Sequence, residues 1–424
     1  MEKALLVAFQ PASGKRSEME NSLSELARLV DTAGGKVVEK IFQKRAAVDP
    51  ATYIGRGKAE EIAGICAGED INVVVFDDDL SPGQQRNLEK ILKTKVIDRT
   101  RLILDIFARR ARTREGRLQV ELAQLKYLQP RLGGKGLALS QQAGGIGTRR
   151  GPGEKKLEVD QRKIRDRISL LEKETGKVQS QRQRQRQKRE EVPLPVAALI
   201  GYTNSGKSTF LNALVKTSAV YADDKLFATL DPTTRRVTLP GGQKVLFTDT
   251  VGFIQKLPHQ LVAAFRATLE EIKEADLLLH LVDVSNAAWE EQVDTVNKVL
   301  RELEIIDKPV VVVYNKIDLA NRQKLIELQK EGCLLISAIN GQGLDFLLKK
   351  ISKFFQKDLR LLKFCLPYEK IGLLGYIHER GKVEEEKYGK KGLSLKVWLD
   401  SKNISIIESK LKMQSAKRKT KVKS

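Results

Sequence analysis

The chain has 424 residues, and with 41% of them apolar it is long enough for two or three domains with cores of their own. A formal net charge of +22 favours a polyanionic partner, either nucleic acid or an anionic membrane surface. An aromatic content of only 5% argues against base-stacking platforms and favours phosphate-backbone contacts on folded RNA.

Membrane and targeting signals are weak in this sequence. The longest apolar runs, LLLHLV at 277–282 and VVVV at 310–313, are too short to span a bilayer. The N-terminus MEKALLVAF carries an acid among its first charges and lacks a small-residue cleavage site, so we expect no signal peptide. We therefore predict a cytoplasmic protein, expected to be a monomer, for which no membrane association is indicated.

Residues 1–112 alternate strand and helix signals. Three short apolar runs are typical of buried parallel strands: KALLVAFQ, KVVEKIFQ and INVVVFDDD. Between the first two lies a helical pattern whose apolar face is formed by Leu23, Leu26, Leu29 and Val30. Ser81 and Pro82 are a good N-cap and first helical residue for another helix. The pattern predicts an N-terminal α/β domain with a parallel sheet.

Residues 113–192 predict two amphipathic helices in succession, with narrow apolar seams and charged outer faces. The seam residues are Leu118, Leu122, Leu125 and Leu132 in the first helix and Leu157, Ile164, Ile168 and Leu171 in the second. We interpret the pair as an antiparallel helical hairpin. Its connection at 133–153 is Gly-rich and basic, with Arg149 and Arg150 near its end. A connection this long is either a functional contact loop, which we favour, or disordered.

The second helix continues into a basic low-complexity stretch, QSQRQRQRQKREE at 179–191. Two interpretations stay open for this stretch: a solvated helix end, or a contact to backbone phosphates. Pro193 and Pro195 then mark a domain boundary.

A nucleotide-binding pattern begins at Val196, in a domain that we place at 193–357. An apolar strand, a Gly-rich loop and a helix follow one another in VAALIGYTNSGKSTFLNAL, and the loop fits G-x-x-x-x-G-K-[ST]. Its glycines let backbone N–H groups wrap phosphates at a helix N-terminus, where the helix dipole favours anions. The predicted nucleotide contacts here are Gly201, Tyr202, Thr203, Asn204, Ser205, Gly206, Lys207, Ser208 and Thr209.

Side chains of the loop and of the next motif have predicted chemical roles. Lys207 should reach the β- and γ-phosphates as a catalytic charge, and Ser208 should ligate Mg²⁺. The motif DTVG follows the strand KVLFT, so Asp249 lies at a strand end that faces the phosphates and can hold the magnesium shell. The Gly252 N–H can contact a γ-phosphate and is a second catalytic candidate. The intervening predicted contacts are Thr250 and Val251.

Two later motifs predict recognition of a guanine base. VVVVYNKID places Asn315, Lys316 and Asp318 after another buried strand. An Asp carboxylate there accepts two hydrogen bonds from guanine, from N1–H and the exocyclic amine, and adenine cannot supply that pair. LLISAIN ends a strand with residues whose backbone can support the base: Ser337, Ala338 and Ile339. In this order the motifs predict a site for GTP or GDP with Mg²⁺.

A switch segment is predicted in LFATLDPTTRR at 226–236. A threonine here must close over the γ-phosphate and Mg²⁺, which gives the GTP state its distinct shape. We favour Thr229 as this metal ligand and catalytic group, but spacing alone does not separate it from Thr233 and Thr234. The predicted nucleotide contacts in this segment are Phe227, Ala228, Thr229, Leu230 and Asp231.

Phe253 directly follows Gly252, where a Ras-like GTPase carries a water-orienting Gln. A phenyl ring neither donates nor accepts a hydrogen bond of that kind. We therefore expect slow intrinsic hydrolysis, with a backbone group or a partner ordering the water.

Residues 358–424 predict a small C-terminal α+β domain, from apolar runs around LLKFCLPY and LSLKVWL with Gly-rich turns. The basic tail KRKTKVKS has two interpretations. It is a disordered end, which we favour, or an RNA contact.

The motifs GYTNSGKST, FATLD, DTVGF and NKID together resemble the HflX family of ribosome-associated GTPases, in the Obg–HflX branch of translation-factor-like GTPases. The segments at 49–62 and 117–132 are similar to that family too, so the resemblance covers about residues 1–355 and, more loosely, the C-terminal stretch. Ser205 departs from a common Ala, a change that a phosphate-facing backbone should tolerate.

The resemblance implies Ser208 and Thr229 as magnesium ligands. It also implies binding to the large (50S) ribosomal subunit and its rRNA, with the hairpin and its loop entering the ribosome. We predict an α/β chain of four parts: the N-terminal parallel-sheet domain, the helical hairpin, a P-loop GTPase domain and the C-terminal domain. The predicted function is a GTPase that splits 70S ribosomes in a GTP-dependent way. The alternative is a GTP-regulated RNA-binding factor in ribosome assembly or maturation, without splitting activity.

Overall fold

The computed structural model describes residues 1–132, 152–190, 194–215, 226–227, 232–256, 271–305, 307–356, 359–390, 392–400 and 403–411. The connection predicted at 133–153 lies outside these ranges up to residue 151, and so does the basic tail. Of the basic run at 179–191 the backbone is described to residue 190, whereas nearly all of its side chains are not.

The N-terminal domain contains a four-stranded, fully parallel sheet of order β2-β1-β3-β4. Its strands are β1 (Lys3–Pro11), β2 (Lys36–Arg45), β3 (Val73–Phe76) and β4 (Lys95–Asp98), and its helices are α1 (Arg16–Thr32), α2 (Arg56–Gly68), α3 (Pro82–Leu92) and α4 (Arg99–Arg110). Successive residues of the inner strands face opposite sides: Leu6 and Val75 pack with α1 and α4, and Leu5 and Val74 pack with α2 and α3. The predicted parallel sheet is confirmed.

Helix α3 begins where the sequence predicts it. Ser81 Oγ accepts a hydrogen bond from Gln84 N at 3.2 Å, and Gln84 Oε1 accepts one from Ser81 N at 2.9 Å, which closes a capping box. Pro82 occupies the first helical position, where its missing N–H costs nothing. Local sequence therefore fixes this helix start.

Two helices follow, α5 (Arg114–Leu128) and α6 (Pro152–Glu190). They pack along a narrow apolar seam that contains the predicted residues Leu118, Leu122, Leu125, Ile164, Ile168 and Leu171. Two ion pairs flank the seam, Arg167–Glu121 and Lys126–Glu172, each with a closest N–O distance of 2.7 Å. With 39 residues, α6 extends about 58 Å at 1.5 Å per residue, far beyond the 15 residues of α5.

The nucleotide-binding part contains a six-stranded sheet of order β10-β9-β8-β5-β7-β6. Its strands are β5 (Val196–Gly201), β6 (Thr233–Thr238), β7 (Lys244–Asp249), β8 (Leu277–Asp283), β9 (Val310–Asn315) and β10 (Leu334–Leu335), and its helices are α7 (Lys207–Leu214), α8 (Trp289–Glu302), α9 (Arg322–Lys330) and α10 (Leu344–Gln356). Every neighbouring pair is parallel except β6 and β7. The carboxyl ends of β5, β7, β8 and β9 therefore meet along one edge, where ligands bind in open α/β sheets.

The C-terminal domain is an antiparallel sheet of order β11-β13-β12. Its strands are β11 (Leu359–Leu366), β12 (Lys382–Gly389) and β13 (Gly392–Asp400), joined by α11 (Leu373–Arg380) and followed by a helical segment over 403–411. This arrangement confirms the predicted α+β class. In the described part of the chain, no helix is long and apolar enough to cross a bilayer.

An apolar core runs without interruption from the N-terminal domain into the nucleotide-binding part. Phe107 of α4 packs on Phe227 with ring centroids 4.5 Å apart. Tyr202, Phe253 and Ile254 belong to the same buried cluster as these two residues. Both segments that flank the predicted phosphate site are therefore packed against the N-terminal domain.

A charged group, the Arg99 cluster, crosses the same interface and consists of Arg99, Asp77, Glu25, Tyr202 and Lys256. Arg99 is only 1% exposed and pairs with Asp77, with an Nη1–Oδ1 distance of 2.7 Å, and with Glu25. Glu25 accepts a hydrogen bond from the Tyr202 hydroxyl. Lys256 Nζ lies 2.5 Å from Asp77 Oδ2. The cluster ties the carboxyl edge of the N-terminal sheet to residues on both sides of the predicted nucleotide site.

Burial and charge pairing oppose each other within the Arg99 cluster. Burial raises the pKa of the Glu25 carboxyl, and the nearby Arg99 offsets only part of that rise. Desolvation acts to lower the pKa of Arg99, but Glu25 and Asp77 outweigh it and the pKa is raised. The carboxylates of Asp77 and Glu25 therefore offset the cost of burying the guanidinium charge.

We expect Arg99→Met to destabilise the protein by about 3–5 kcal/mol, because it leaves buried carboxylates without their guanidinium. Urea unfolding followed by circular dichroism measures the change. Arg56→Met is the matched control, since Arg56 pairs with Glu60 at 3.0 Å but is 84% exposed, and its loss should cost about 1 kcal/mol or less. Equal effects of the two substitutions would contradict a structural role for the cluster.

Candidate nucleotide site

The segment between β5 and α7 forms the predicted phosphate loop, residues 201–206. Gly206 has φ +90°, and a Cβ there would lie 2.2 Å from Asn315 Nδ2, so another residue would not fit without displacement. Asn315 Nδ2 donates to the Ser205 carbonyl at 2.9 Å and fastens the loop to β9. Helix α7 begins at Lys207, so its unpaired N–H groups and its dipole face the loop and suit an anion.

Lys207 lies buried at the centre of this loop. Its Nζ donates to the carbonyl oxygens of Gly201 at 3.1 Å and Tyr202 at 2.7 Å. Desolvation lowers the pKa of Lys207 to about 8, with Asp249 opposing this effect and the charge of Lys316 adding to it. A phosphate supplies a counter-charge that two neutral carbonyls do not, so the ammonium is placed to prefer an anionic ligand.

Ser208 and Asp249 meet where the sequence predicts a magnesium ion. Ser208 Oγ donates to Asp249 Oδ2 at 2.7 Å, and Asp249 is fully buried at the end of β7. Hydroxyl and carboxylate oxygens are the hard donors that Mg²⁺ takes, so these residues fit the ion. When bound there, it would neutralise charge that develops on the phosphates. The third predicted ligand, Thr229, lies outside the described residues.

The DTVG segment presents mainly its backbone to the phosphate loop. The Thr250 hydroxyl donates to a carbonyl of β5 at 2.6 Å, and the Val251 side chain is buried. A Cβ on Gly252 would lie 2.8 Å from Thr203 Cα and 3.0 Å from Lys207 Nζ. Glycine at this position therefore lets the segment approach the lysine that is expected to hold the phosphates.

Phe253 is turned away from the predicted reaction centre. Its side chain is 2% exposed and lies in the apolar core between the domains. Its N–H donates to the Gly201 carbonyl at 3.0 Å, and its carbonyl accepts from Thr203 N at 2.7 Å. In this conformation both its ring and its backbone groups are engaged by the protein.

The residues predicted to read the base lie at the end of β9 and in the loop after β10. Asn315 is 1% exposed, and its Oδ1 accepts a hydrogen bond from Ala338 N at 3.0 Å, so one side chain links the phosphate loop to the loop at 336–342, the predicted base loop. Ser337 N donates to Gln342 O at 3.0 Å, which closes the base loop. Ile339 and Asp318 are exposed, which leaves the Asp318 carboxylate accessible to a base.

Asp283, at the end of β8, is a site residue that the sequence reasoning missed. Its Oδ2 lies 2.7 Å from Lys316 Nζ, and its Oδ1 accepts from Ser285 N at 3.1 Å. Because Lys207 and Lys316 repel each other, this carboxylate provides the charge balance that holds Lys316 in place. The available signal was a carboxylate at the end of a buried strand, LLLHLVD, beside strands that end in site residues.

The switch segment is described only in part. Phe227 packs on the N-terminal domain, whereas the predicted contacts Ala228, Thr229, Leu230 and Asp231 lie outside the described residues. Thr233 and Thr234 lie on β6, and the Thr234 hydroxyl is hydrogen-bonded to Thr248 Oγ1 at 3.0 Å. That contact holds Thr234 within the sheet, and Thr229 stays the favoured prediction for the closing threonine, with Thr233 as its alternative.

Tyr202 and Lys256 have roles that the loop motifs do not reveal. The Tyr202 hydroxyl accepts a hydrogen bond from Gln255 N at 2.8 Å while donating to Glu25. Lys256 has φ +53° and also lies 2.5 Å from Asp78 Oδ1. These contacts join residues far apart in the chain, so spacing gives no signal for them.

Four family models together match nearly the whole chain. Their descriptions are GTP-binding GTPase N-terminal at 20–108, GTP-binding GTPase Middle Region at 110–189, 50S ribosome-binding GTPase at 196–316 and HflX C-terminal domain at 323–421. A solved structure of a protein called SsGBP in complex with GDP aligns with 84% of this chain and 99% of its own, at 26% identity and a TM-score of 0.47.

Three relatives that carry the name GTPase HflX align over most of their own length. The relative from Caldanaerobacter subterraneus subsp. tengcongensis is 49% identical, over 93% of this chain and 90% of its own. The chain belongs to the HflX family of GTPases. The HflX relative from Lacrimispora saccharolytica is 47% identical over 94% of each chain, and that from Escherichia coli is 42% identical over 91% of this chain and 90% of its own.

For this HflX-family GTPase, we expect Lys207→Ala to lower GTP turnover by about 100-fold or more, because a preorganised charge at the β- and γ-phosphates is lost. Phosphate release and binding of a fluorescent GDP measure the effect. Lys350→Ala, at an exposed position on α10, is the control and should behave as the unsubstituted protein. Unchanged turnover in Lys207→Ala would rule out its predicted role.

We expect Asp318→Asn to relax the preference for guanine, since an amide cannot accept both hydrogen bonds that guanine offers. Competition of GTP and ATP for the labelled GDP site measures the selectivity. Asp294→Asn removes a carboxylate from an exposed position on α8 and should leave selectivity unchanged. If Asp318→Asn kept the full GTP-over-ATP selectivity, the base contact would have to come from another residue.

Proposed function

We propose that this GTPase binds the large ribosomal subunit in its GTP form, separates 70S ribosomes, and leaves the subunit after hydrolysis. Support comes from the model over 196–316, whose description is 50S ribosome-binding GTPase, and from a net charge of +22, which suits an rRNA surface. The structural observation that carries the proposal is the direct attachment of the nucleotide site to the N-terminal domain through the Arg99 cluster.

We assign the chemical roles as the site geometry supports them. Lys207 stabilises charge on the β- and γ-phosphates, and Ser208 with Asp249 holds Mg²⁺. The Gly252 N–H contacts the γ-phosphoryl group and Asp318 selects guanine. A water oxygen attacks the γ-phosphorus, the bond to the β–γ bridging oxygen breaks, and GDP and inorganic phosphate leave.

A change in the bound nucleotide can be transmitted to the N-terminal domain through one short segment, residues 252–256. Gly252 faces the predicted γ-phosphate, and Lys256, four positions later, contacts Asp77 and Asp78. A shift of Gly252 on gain or loss of the γ-phosphate changes the Lys256 contacts as well. Differential contacts of this kind are what a ligand needs to bias one arrangement of domains over another.

The helices α5 and α6 can extend to contacts that the GTPase domain alone would not make. Helix α6 extends about 58 Å and ends in a stretch with five basic residues between 181 and 190. Its length and charge suit contact with backbone phosphates of folded RNA. The connection at 133–153 leads into this helix from α5, and we propose that it enters the ribosome with the helices.

We further propose that hydrolysis is slow in the isolated protein and faster on the large subunit. Phe253 supplies no water-orienting group, whereas Lys207, Ser208 and Asp249 keep the charge stabilisation. In Ras-like enzymes a group added in trans increases turnover by roughly 10³–10⁵-fold, which sets the scale for a ribosomal stimulation.

Sedimentation of 70S ribosomes tests the proposal. With the protein and a non-hydrolysable GTP analogue, we expect 70S particles to give separate 50S and 30S peaks, with the protein in the 50S peak. With GDP the 70S peak should persist, and binding should weaken steeply as salt increases. Phosphate release measured with and without 50S subunits reports the stimulation.

Lys207→Ala, which should not bind GTP, is the control for this experiment and should leave 70S particles intact. If the unsubstituted protein also leaves 70S particles intact and binds only immature large subunits, the assembly or maturation function replaces splitting. Ribosome binding that does not change with salt concentration would contradict the proposed contacts to backbone phosphates.

A further inference from the structure

The position of Phe253 leaves the orientation of the attacking water without a residue. Its ring is buried in the interdomain core, its N–H donates to Gly201 O at 3.0 Å and its carbonyl accepts from Thr203 N at 2.7 Å. The side chain and the N–H of Phe253 are therefore not available to hold a water in this arrangement, and its carbonyl already accepts one hydrogen bond. A different polar group beside the γ-phosphoryl position must therefore orient the water.

Thr203 carries a buried hydroxyl for which the described residues offer no hydrogen-bond partner. The residue is 7% exposed, and its Oγ1 has no hydrogen-bond partner among the residues that the structure describes. A buried hydroxyl left unpaired is costly, so a threonine is a poor choice here unless a ligand completes it. Nearby, the Thr250 hydroxyl has a partner in a carbonyl of β5.

The surroundings of Thr203 place it at the phosphate end of the loop. A Cβ on Gly252 would lie 3.0 Å from Thr203 Cγ2 and 3.0 Å from Lys207 Nζ, so the three residues converge on one point. Lys207 and the Gly252 N–H are the groups expected at the γ-phosphoryl oxygens. The Thr203 side chain thus lies beside the position expected for the γ-phosphoryl group, with its methyl carbon nearest Gly252.

We propose that the Thr203 hydroxyl is a catalytic residue that orients the attacking water. Its oxygen accepts a hydrogen bond from the water, and its O–H donates a hydrogen bond to a γ-phosphoryl oxygen without transferring the proton. The water oxygen forms the new bond to phosphorus while the bond to the β–γ bridging oxygen breaks. One proton of the water ends on the released phosphate, and the threonine is unchanged. This inference rests on the proposed nucleotide site and adds a residue to it.

Thr203→Val and Thr203→Ser separate the hydroxyl from the shape of the side chain. Valine keeps the shape and removes the hydroxyl, and we expect turnover of the full chain to fall about 10- to 100-fold, the range for a hydrogen bond to a charged group. Affinity for GDP should stay within about twofold, because GDP lacks the γ-phosphoryl group, whereas affinity for GDP with aluminium fluoride should fall with turnover. Serine keeps the hydroxyl and should retain most of the turnover.

Three results would overturn the proposal: wild-type turnover in Thr203→Val, equal losses in valine and serine variants, or a parallel loss of GDP affinity that marks a packing defect. These results are distinct from failure of the proposed function. Splitting is measured with a non-hydrolysable analogue and does not need the hydroxyl, and Lys207→Ala tests the nucleotide site separately.

Discussion

A buried guanidinium is the constraint on which the relation between the two α/β domains depends. Arg99 lies in the contact between them and pairs with Asp77 and Glu25, which offset the cost of burying its charge. Glu25 in turn holds the Tyr202 hydroxyl, and Asp77 holds Lys256. Displacing the N-terminal domain would leave several of these groups without partners. The contacts therefore hold the two domains and the phosphate loop in one arrangement.

The nucleotide site depends on that arrangement and on two internal supports. Asn315 fastens the phosphate loop to the base loop through one buried amide. Asp283 balances the charge of Lys316, which would otherwise add to the repulsion felt by Lys207. Preorganised in this way, the lysines and backbone N–H groups that are predicted to hold the phosphates would need little rearrangement on binding, which is the condition under which electrostatic stabilisation is most effective.

The placement of Phe253 links stability and chemistry at one position. A ring that fills the interdomain core contributes burial, but it removes the side chain that Ras-like GTPases use to orient water. Thr203 of the phosphate loop lies on the other side of this contact and carries a hydroxyl. Its backbone N–H donates a hydrogen bond to the Phe253 carbonyl. The packing residue and the polar residue are therefore held at a fixed distance by a backbone hydrogen bond.

The sequence alone determined what is local or periodic. Short apolar runs predicted the parallel strands, Ser81 with Pro82 predicted a helix start, and the G-x-x-x-x-G-K-[ST] loop with NKID predicted a guanine-nucleotide site on parallel strands. What joins distant segments was decided only by the tertiary structure: the Arg99 cluster, the Asp283–Lys316 pair, and the burial of Phe253 beside Thr203. The reason is physical, because propensity and spacing act over a few residues. Charge pairing across an interface depends on which surfaces the whole chain brings together.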